Sequence, residues 1–152
     1  MKLRVYLAHP ISGLSYNDVI AYFESTAKQL TDIGYEVLSP MTGKKELRNE
    51  LNLRAEGYKN PCSTNHAIVR RDKWCVEHSD VFFLDLIDAQ EISIGSTCEL
   101  AWAYASNVHS IVVLPEESKM RHAFILEMAD ILYTNHNDAI EYLKKWIEQK
   151  EG

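Results

Sequence analysis

Val81-Phe82-Phe83-Leu84-Asp85-Leu86, then a short loop from Ile87 to Ile92, then Ser93-Ile94-Gly95-Ser96-Thr97-Cys98-Glu99-Leu100-Ala101-Trp102: this stretch decides how the chain folds. The first run is short, apolar and aromatic, which is the pattern of a buried strand. The segment after Ser93 is rich in Ala, Leu, Trp and Tyr and reads as a helix to about Ser106. Gly95 and the hydroxyls of Ser93, Ser96 and Thr97 fall where strand gives way to helix. Unpaired backbone N–H groups and the positive end of the helix dipole make such a junction an anion site. Glu99 falls near the first turn of a helix that is otherwise apolar almost all round. A carboxylate held ionised there by the dipole, among neighbours that exclude water, suits a nucleophile. The plainer reading is a capping or dipole partner.

Working outward, Leu3 to Ala8 reads as strand one, and His9-Pro10-Ile11-Ser12-Gly13 as the turn at its carboxyl end. A helix follows from about Ser15 to Ile33, with Val19, Phe23, Leu30 and Ile33 at helical spacing and Gly34 as its stop. Tyr35 to Ser39 is strand two, closed by Pro40. Two successive strand–helix repeats imply a parallel sheet with right-handed crossovers. Met41 to Cys62 mixes charge with Gly43, Gly57 and Pro61; it reads as a short helix over Lys45 to Leu53, a substrate lid or a solvated loop. Ser63 or Thr64 caps the next helix, which runs to about His78. Its apolar stripe holds Ile68, Cys75, Val76 and also Asp72, a carboxylate that must be paired or used. Arg70, Arg71 and Lys73 flank it, so an ion pair is one reading. Ser110 to Leu114 is strand four, Lys119 to Ala129 a helix or irregular turn, Ile131 to Tyr133 strand five, and Asn137 to Gln149 an amphipathic helix.

This alternation predicts one α/β domain over residues 1–152. Its sheet is five-stranded, parallel and doubly wound, of flavodoxin or Rossmann-like type, in the order 2-1-3-4-5. Ligands bind such sheets at the carboxyl ends of the strands, where strands one and three diverge. Tyr6, the turn His9 to Gly13 and the Ser93–Glu99 segment are expected to meet there.

Composition narrows the function. Hydrophobic residues are 46% and charged residues 25% of the 152, the balance of a globular protein with a real core. Net charge is −6 and the pI about 5.5, which disfavours a nucleic-acid polymer as partner. No apolar run approaches the roughly 20 residues of a membrane span, and no signal-peptide pattern is present. Cys62, Cys75 and Cys98 are odd in number and widely spaced, so reduced thiols in a cytoplasm are expected rather than disulfides or zinc.

Taken together, these residues resemble the nucleoside 2-deoxyribosyltransferase family and its relatives, the 5′-monophosphate nucleotide N-glycosidases. The resemblance spans nearly the whole chain. Val5-Tyr6-Leu7-Ala8 is similar to the family's first strand, whose aromatic residue touches the catalytic carboxylate. Asp72, before Trp74, matches the helix Asp that contacts the departing base. Ser93-Ile94-Gly95-Ser96-Thr97-Cys98-Glu99 matches the signature ending in the nucleophilic Glu. Arg121-His122-Ala123-Phe124 lies where relatives reach into a neighbouring subunit's site. The resemblance therefore implies Glu99 as nucleophile, a protonated Asp72 as acid, and Tyr6 orienting Glu99 and crowding C2′. It implies substrate contacts from Ser93, Gly95, Ser96, His9, Ser12, Gly13 and His122, no metal or cofactor, and a homodimer or higher homo-oligomer acting on a small nucleotide or nucleoside.

Two departures matter. Thr97 stands where many relatives have a second Gly. Ser93 stands where the transferases commonly carry Asp, which holds the sugar 5′-hydroxyl; the nucleotide-hydrolysing relatives tend to have Ser there. A Ser hydroxyl donates to a phosphate that an Asp would repel. The expectation is cleavage of the N-glycosidic bond of a (2-deoxy)nucleoside 5′-monophosphate. Deoxyribosyl transfer between bases and a non-catalytic nucleotide-binding module are the alternatives.

Overall fold

The computed structural model describes residues 1–41 and 64–152. The helix over Lys45 to Leu53, the lid, Cys62 and the capping role of Ser63 lie outside the described residues.

Five strands, β1 (Arg4–Ala8), β2 (Glu36–Leu38), β3 (Val81–Asp85), β4 (His109–Val113) and β5 (Ile131–Tyr133), form one sheet in the order β2-β1-β3-β4-β5. Every neighbouring pair is parallel, with Tyr6 beside both Leu38 and Phe82, and Leu84 beside Val112. The helices among the described residues are α1 (Tyr16–Ile33), α2 (Asn65–Glu77), α3 (Ile94–Ala105), α4 (Ala123–Met128) and α5 (His136–Glu151). None among the described residues is long and apolar enough to cross a membrane.

The two-residue period of a strand sends alternate side chains to opposite faces. Val5, Leu7, Val81, Phe83, Ile111 and Val113 face α1 and α5, where they bury Val19, Phe23, Leu30, Leu143 and Ile147. Tyr6, Ala8, Phe82, Leu84 and Val112 face the other way, against Val76 of α2, Leu100 and Ala103 of α3 and Ile125 of α4. This places Tyr6 on the side of the sheet that carries Asp72 and Glu99.

Polar side chains set the helix starts by accepting the otherwise orphan N–H groups of the first turn. Ser15 accepts from Asp18 N, Thr64 from Ala67 N, Ser93 from Ser96 N and Asn135 from Asp138 N. Gly34 ends α1 at φ +127°, a conformation that side chains resist, and a Cβ there would lie 3.3 Å from Ile147 Cδ1.

Because Ser93 is the N-cap, α3 opens at Ile94 and its first turn holds no acidic residue. Glu99 therefore lies a turn deeper than the sequence pattern suggests. The dipole acts mainly within the terminal turn, so burial and neighbours dominate its environment.

Candidate active site

Tyr6 is wholly buried on β1, while Asp72 of α2 and Glu99 of α3 are 7% and 9% exposed. The phenol registers both carboxylates. Burial pushes its pKa well above the ordinary value of 10, the charge of Glu99 adds to this, then that of Asp72, then a hydrogen-bonding approach to Glu99. By distance and angle the hydroxyl completes no hydrogen bond among the described residues. Tyr6 keeps its proton at neutral pH.

Cys75, expected on the stripe with Asp72, and Arg71, one of the flanking cations offered as an ion-pair partner, both belong to this cluster. The half-buried Cys75 thiol is pushed up by burial and by Asp72, drawn down by Arg71 and raised again by Glu99. Arg71 Nε lies 3.3 Å from Asp72 Oδ1, with the two side chains only 24% and 10% exposed. Its Nη2 donates to the carbonyl of Pro40 at 3.2 Å. A sequence signal existed, since Arg71 adjoins Asp72, but adjacency on a helix does not bring side chains face to face. The tether to Pro40, at the end of β2, is a tertiary fact.

The expected anion site is built as a capped helix start. Ser93 Oγ accepts from Ser96 N at 3.3 Å and lies 2.9 Å from Ser96 Oγ, to which it donates. Thr97 Oγ1 donates to Ser93 O at 2.9 Å. Ser96 is buried and Gly95 exposed. A Cβ on Gly95 would meet nothing within 4 Å, so the glycine answers no steric demand and leaves the approach to the first amides open.

The turn after β1 meets the loop after β3. Leu14 N donates to Ile11 O at 3.2 Å, closing a turn in which the exposed Gly13 has φ +83°. Only glycine takes that angle readily. A Cβ on Gly13 would lie 3.4 Å from Glu91 Oε1, so the two loops touch. Ser12 is half-buried beside it.

His9, at the end of β1, is buried. Its ring is stacked on Tyr22 at 3.7 Å, on the α1 side of the sheet, and Nδ1 sits 2.8 Å from Asp85 O. Burial lowers its pKa against the opposing pull of Asp85 and Asp88. The ring is packed between Tyr22 and the end of β3. His122 caps α4, accepting from Phe124 N at 3.2 Å, and its ring stacks on Phe124 at 5.7 Å. Arg121, His122, Ala123 and Phe124 are all exposed.

A second polar cluster on the α1–α5 side escaped the sequence reading. Asp85, wholly buried, receives Tyr22 OH at 2.8 Å and Ile87 N at 3.0 Å, and His136 Nδ1 lies 2.6 Å from it. It ties β3 to α1 and α5.

These features define a doubly wound parallel α/β protein with two buried carboxylates gathered around a buried phenol on the first strand. Solved structures share that fold. One is a 2-deoxyribosyltransferase from Bacillus psychrosaccharolyticus, at 17% identity and TM-score 0.67 over 91% of this chain and 91% of that one. Another is a CMP N-glycosidase from Clostridium botulinum, at 19% identity and TM-score 0.59 over 96% and 98%. A conserved protein from Enterococcus faecalis V583 aligns at 16% identity and TM-score 0.65 over 95% and 99%. Identity this low establishes common architecture. No protein-family model matches the chain, and no curated protein matches it in sequence.

Proposed function

We propose that this protein cleaves the N-glycosidic bond of a nucleoside 5′-monophosphate through a glycosyl-enzyme on Glu99. The observation that carries this reading is the convergence of Tyr6, Asp72 and Glu99, from three separate elements, in one buried cluster. The fold shared with a 2-deoxyribosyltransferase and a CMP N-glycosidase supports it.

In the first step a Glu99 oxygen attacks C1′ while the C1′–N bond breaks, its electron pair leaving on the base. Positive charge spreads over C1′ and the ring oxygen, and a buried carboxylate stabilises it. Tyr6, kept protonated by burial and by both carboxylates, donates toward Glu99 and fixes its attacking geometry. Asp72 contacts the departing base. A proton-donor role would require an apolar setting, whereas the Arg71 guanidinium favours the charged carboxylate, so the leaving base takes its proton from water. Water then attacks C1′ of the ester, and the C1′–O bond to Glu99 breaks with its electron pair returning to the carboxylate. The proton that this water gives up neutralises the hydroxide left when the base was protonated. Ser93, Ser96 and the amides at Gly95 receive the 5′-phosphate, with Ser12 and Gly13 on the facing turn. A second base in place of water gives deoxyribosyl transfer from the same intermediate. We further infer a cytoplasmic setting, in keeping with the free thiols of Cys75 and Cys98, and a homo-oligomeric active unit.

The test is incubation with deoxynucleosides and their 5′-monophosphates, with and without an acceptor base. Release of free base is expected; a new nucleoside would mean transfer, and ligand binding without cleavage a binding module. Glu99→Gln should still bind nucleotide but turn over on the order of 10³-fold more slowly. A folded variant retaining more than about a tenth of wild-type turnover would sink the nucleophile assignment.

A further inference from the structure

The ion pair beside the cleft carries a consequence for which base the site accepts. Arg71 is held at both ends, by Asp72 Oδ1 at 3.3 Å and by the Pro40 carbonyl at 3.2 Å. Asp72 is nine-tenths buried and acts electrostatically on Tyr6 and Cys75, the same groups on which Glu99 acts. Among the described residues, the groups that act on it or beside it include Arg71 on its own helix and Glu99 on α3, with the phenol of Tyr6 on β1 and the thiol of Cys75. A second carboxylate across the cleft would favour neutralising Asp72. The guanidinium opposes this, and being always charged it does so at every working pH.

From this geometry we infer that Arg71 is a positioning residue that holds Asp72 as an ionised hydrogen-bond acceptor, so that the site selects nucleobases presenting an exocyclic amino group. The inference rests on the cleft being a nucleobase site. An ionised carboxylate accepts and cannot donate. It pairs with the amino group of cytosine or adenine and repels the carbonyl oxygen that uracil or hypoxanthine places at the same position. A hydrogen bond to a charged group, lost and replaced by two facing acceptors, corresponds to about 10–100-fold in affinity.

The experiment measures binding to the Glu99→Gln protein, so that turnover does not intervene. The probes are the deoxycytidine, deoxyuridine, deoxyadenosine and deoxyinosine nucleosides and their 5′-monophosphates, followed by calorimetry. The amino member of each pair should bind about 10–100-fold more tightly. Adding Arg71→Gln should bring the ratio close to one, whereas Arg71→Lys, which keeps the charge, should restore most of it. Asp72→Asn, whose amide both donates and accepts, should flatten the ratio as well. Circular dichroism and melting temperature report whether each variant folds; if Arg71→Gln does not, the lysine and asparagine variants and the parent ratio still decide. Equal binding of amino and keto members overturns the inference and leaves the proposed function standing. A ratio that survives Arg71→Gln but collapses in Asp72→Asn removes Arg71 from the account. Binding of none of the probes overturns the nucleotide reading and this inference together.

Discussion

Burying a titratable group draws its pKa toward the neutral form unless a partner opposes it, and this chain uses both outcomes on the two faces of one strand. Tyr6 points to the acidic cleft and stays protonated there. His9, at the end of the same strand, is sealed on the opposite side under Tyr22, and burial lowers its pKa below the ordinary 6.5. The folded state refuses a proton that the unfolded chain accepts. Stability is therefore unaffected well above pH 6.5 and lost as pH falls below it. Replacing His9 by Asn keeps a donor near Asp85 O and removes the titration. Denaturant midpoints between about pH 5 and 8 should fall on the acid side less steeply in His9→Asn than in wild type. A residual slope is expected from His109, which burial also lowers. An acid limb unchanged by the substitution would show that His9 does not titrate as a buried neutral ring. In the sequence, His9 differs little from a phosphate-binding His, because neither burial nor the side of the sheet is written in the turn itself.

Helix starts show how far a sequence pattern carries at the scale of elements. The periodicities placed the five strands and the four long helices of the described residues, because apolar spacing is dictated by what each face must bury. The start of α3 is less legible. Ser93, Ser96 and Thr97 are all competent caps, and only the coordinates select Ser93, which moves Glu99 beyond the first turn. That cap separates two effects of mutation. Ser93→Ala should destabilise the protein by about 1 kcal/mol through the lost cap. Ser93→Asp should keep stability, since Asp caps as well as Ser and its charge suits a helix N-terminus. Its carboxylate would nonetheless repel a phosphate dianion. The ratio of kcat/KM for a deoxynucleoside 5′-monophosphate over the deoxynucleoside should favour the monophosphate by about 10–100-fold in wild type and reverse in Ser93→Asp. A wild-type preference for the unphosphorylated nucleoside would turn the reading toward deoxyribosyl transfer.

For the molecule as a whole, the strand order was legible because right-handed crossovers leave few arrangements for five parallel strands. Contacts between distant segments were not. Asp85 meets Tyr22 and His136 across 63 and 51 residues, and nothing local marks any of them. The same limit applies to partners, and here the surface adds information. Tyr104 on α3 and Phe124 on α4 are 61% and 68% exposed, and with Ala123, Glu127 and Met128 they line an open groove of about 330 Å³. Ile92 and Ile94, at the start of α3, are exposed as well. Exposed aromatic side chains lining a groove are the kind of surface that a partner covers. The groove adjoins Arg121 and His122, the residues whose resemblance implies a reach into a neighbouring site. A second copy of this chain, packed through a two-fold axis, would cover the groove on both subunits at once. Light scattering after size exclusion should give a dimer or a larger even assembly, and Tyr104→Asp with Phe124→Asp should reduce it to monomers. Complementation then tests whether the site is shared. Glu99→Gln and His122→Glu proteins, each weakly active, should regain activity when mixed and allowed to exchange subunits, because one site of each mixed pair combines an intact Glu99 with an intact His122. A wild-type monomer with full activity would remove the shared site, and a dimer that fails to complement would leave His122 with its capping role alone.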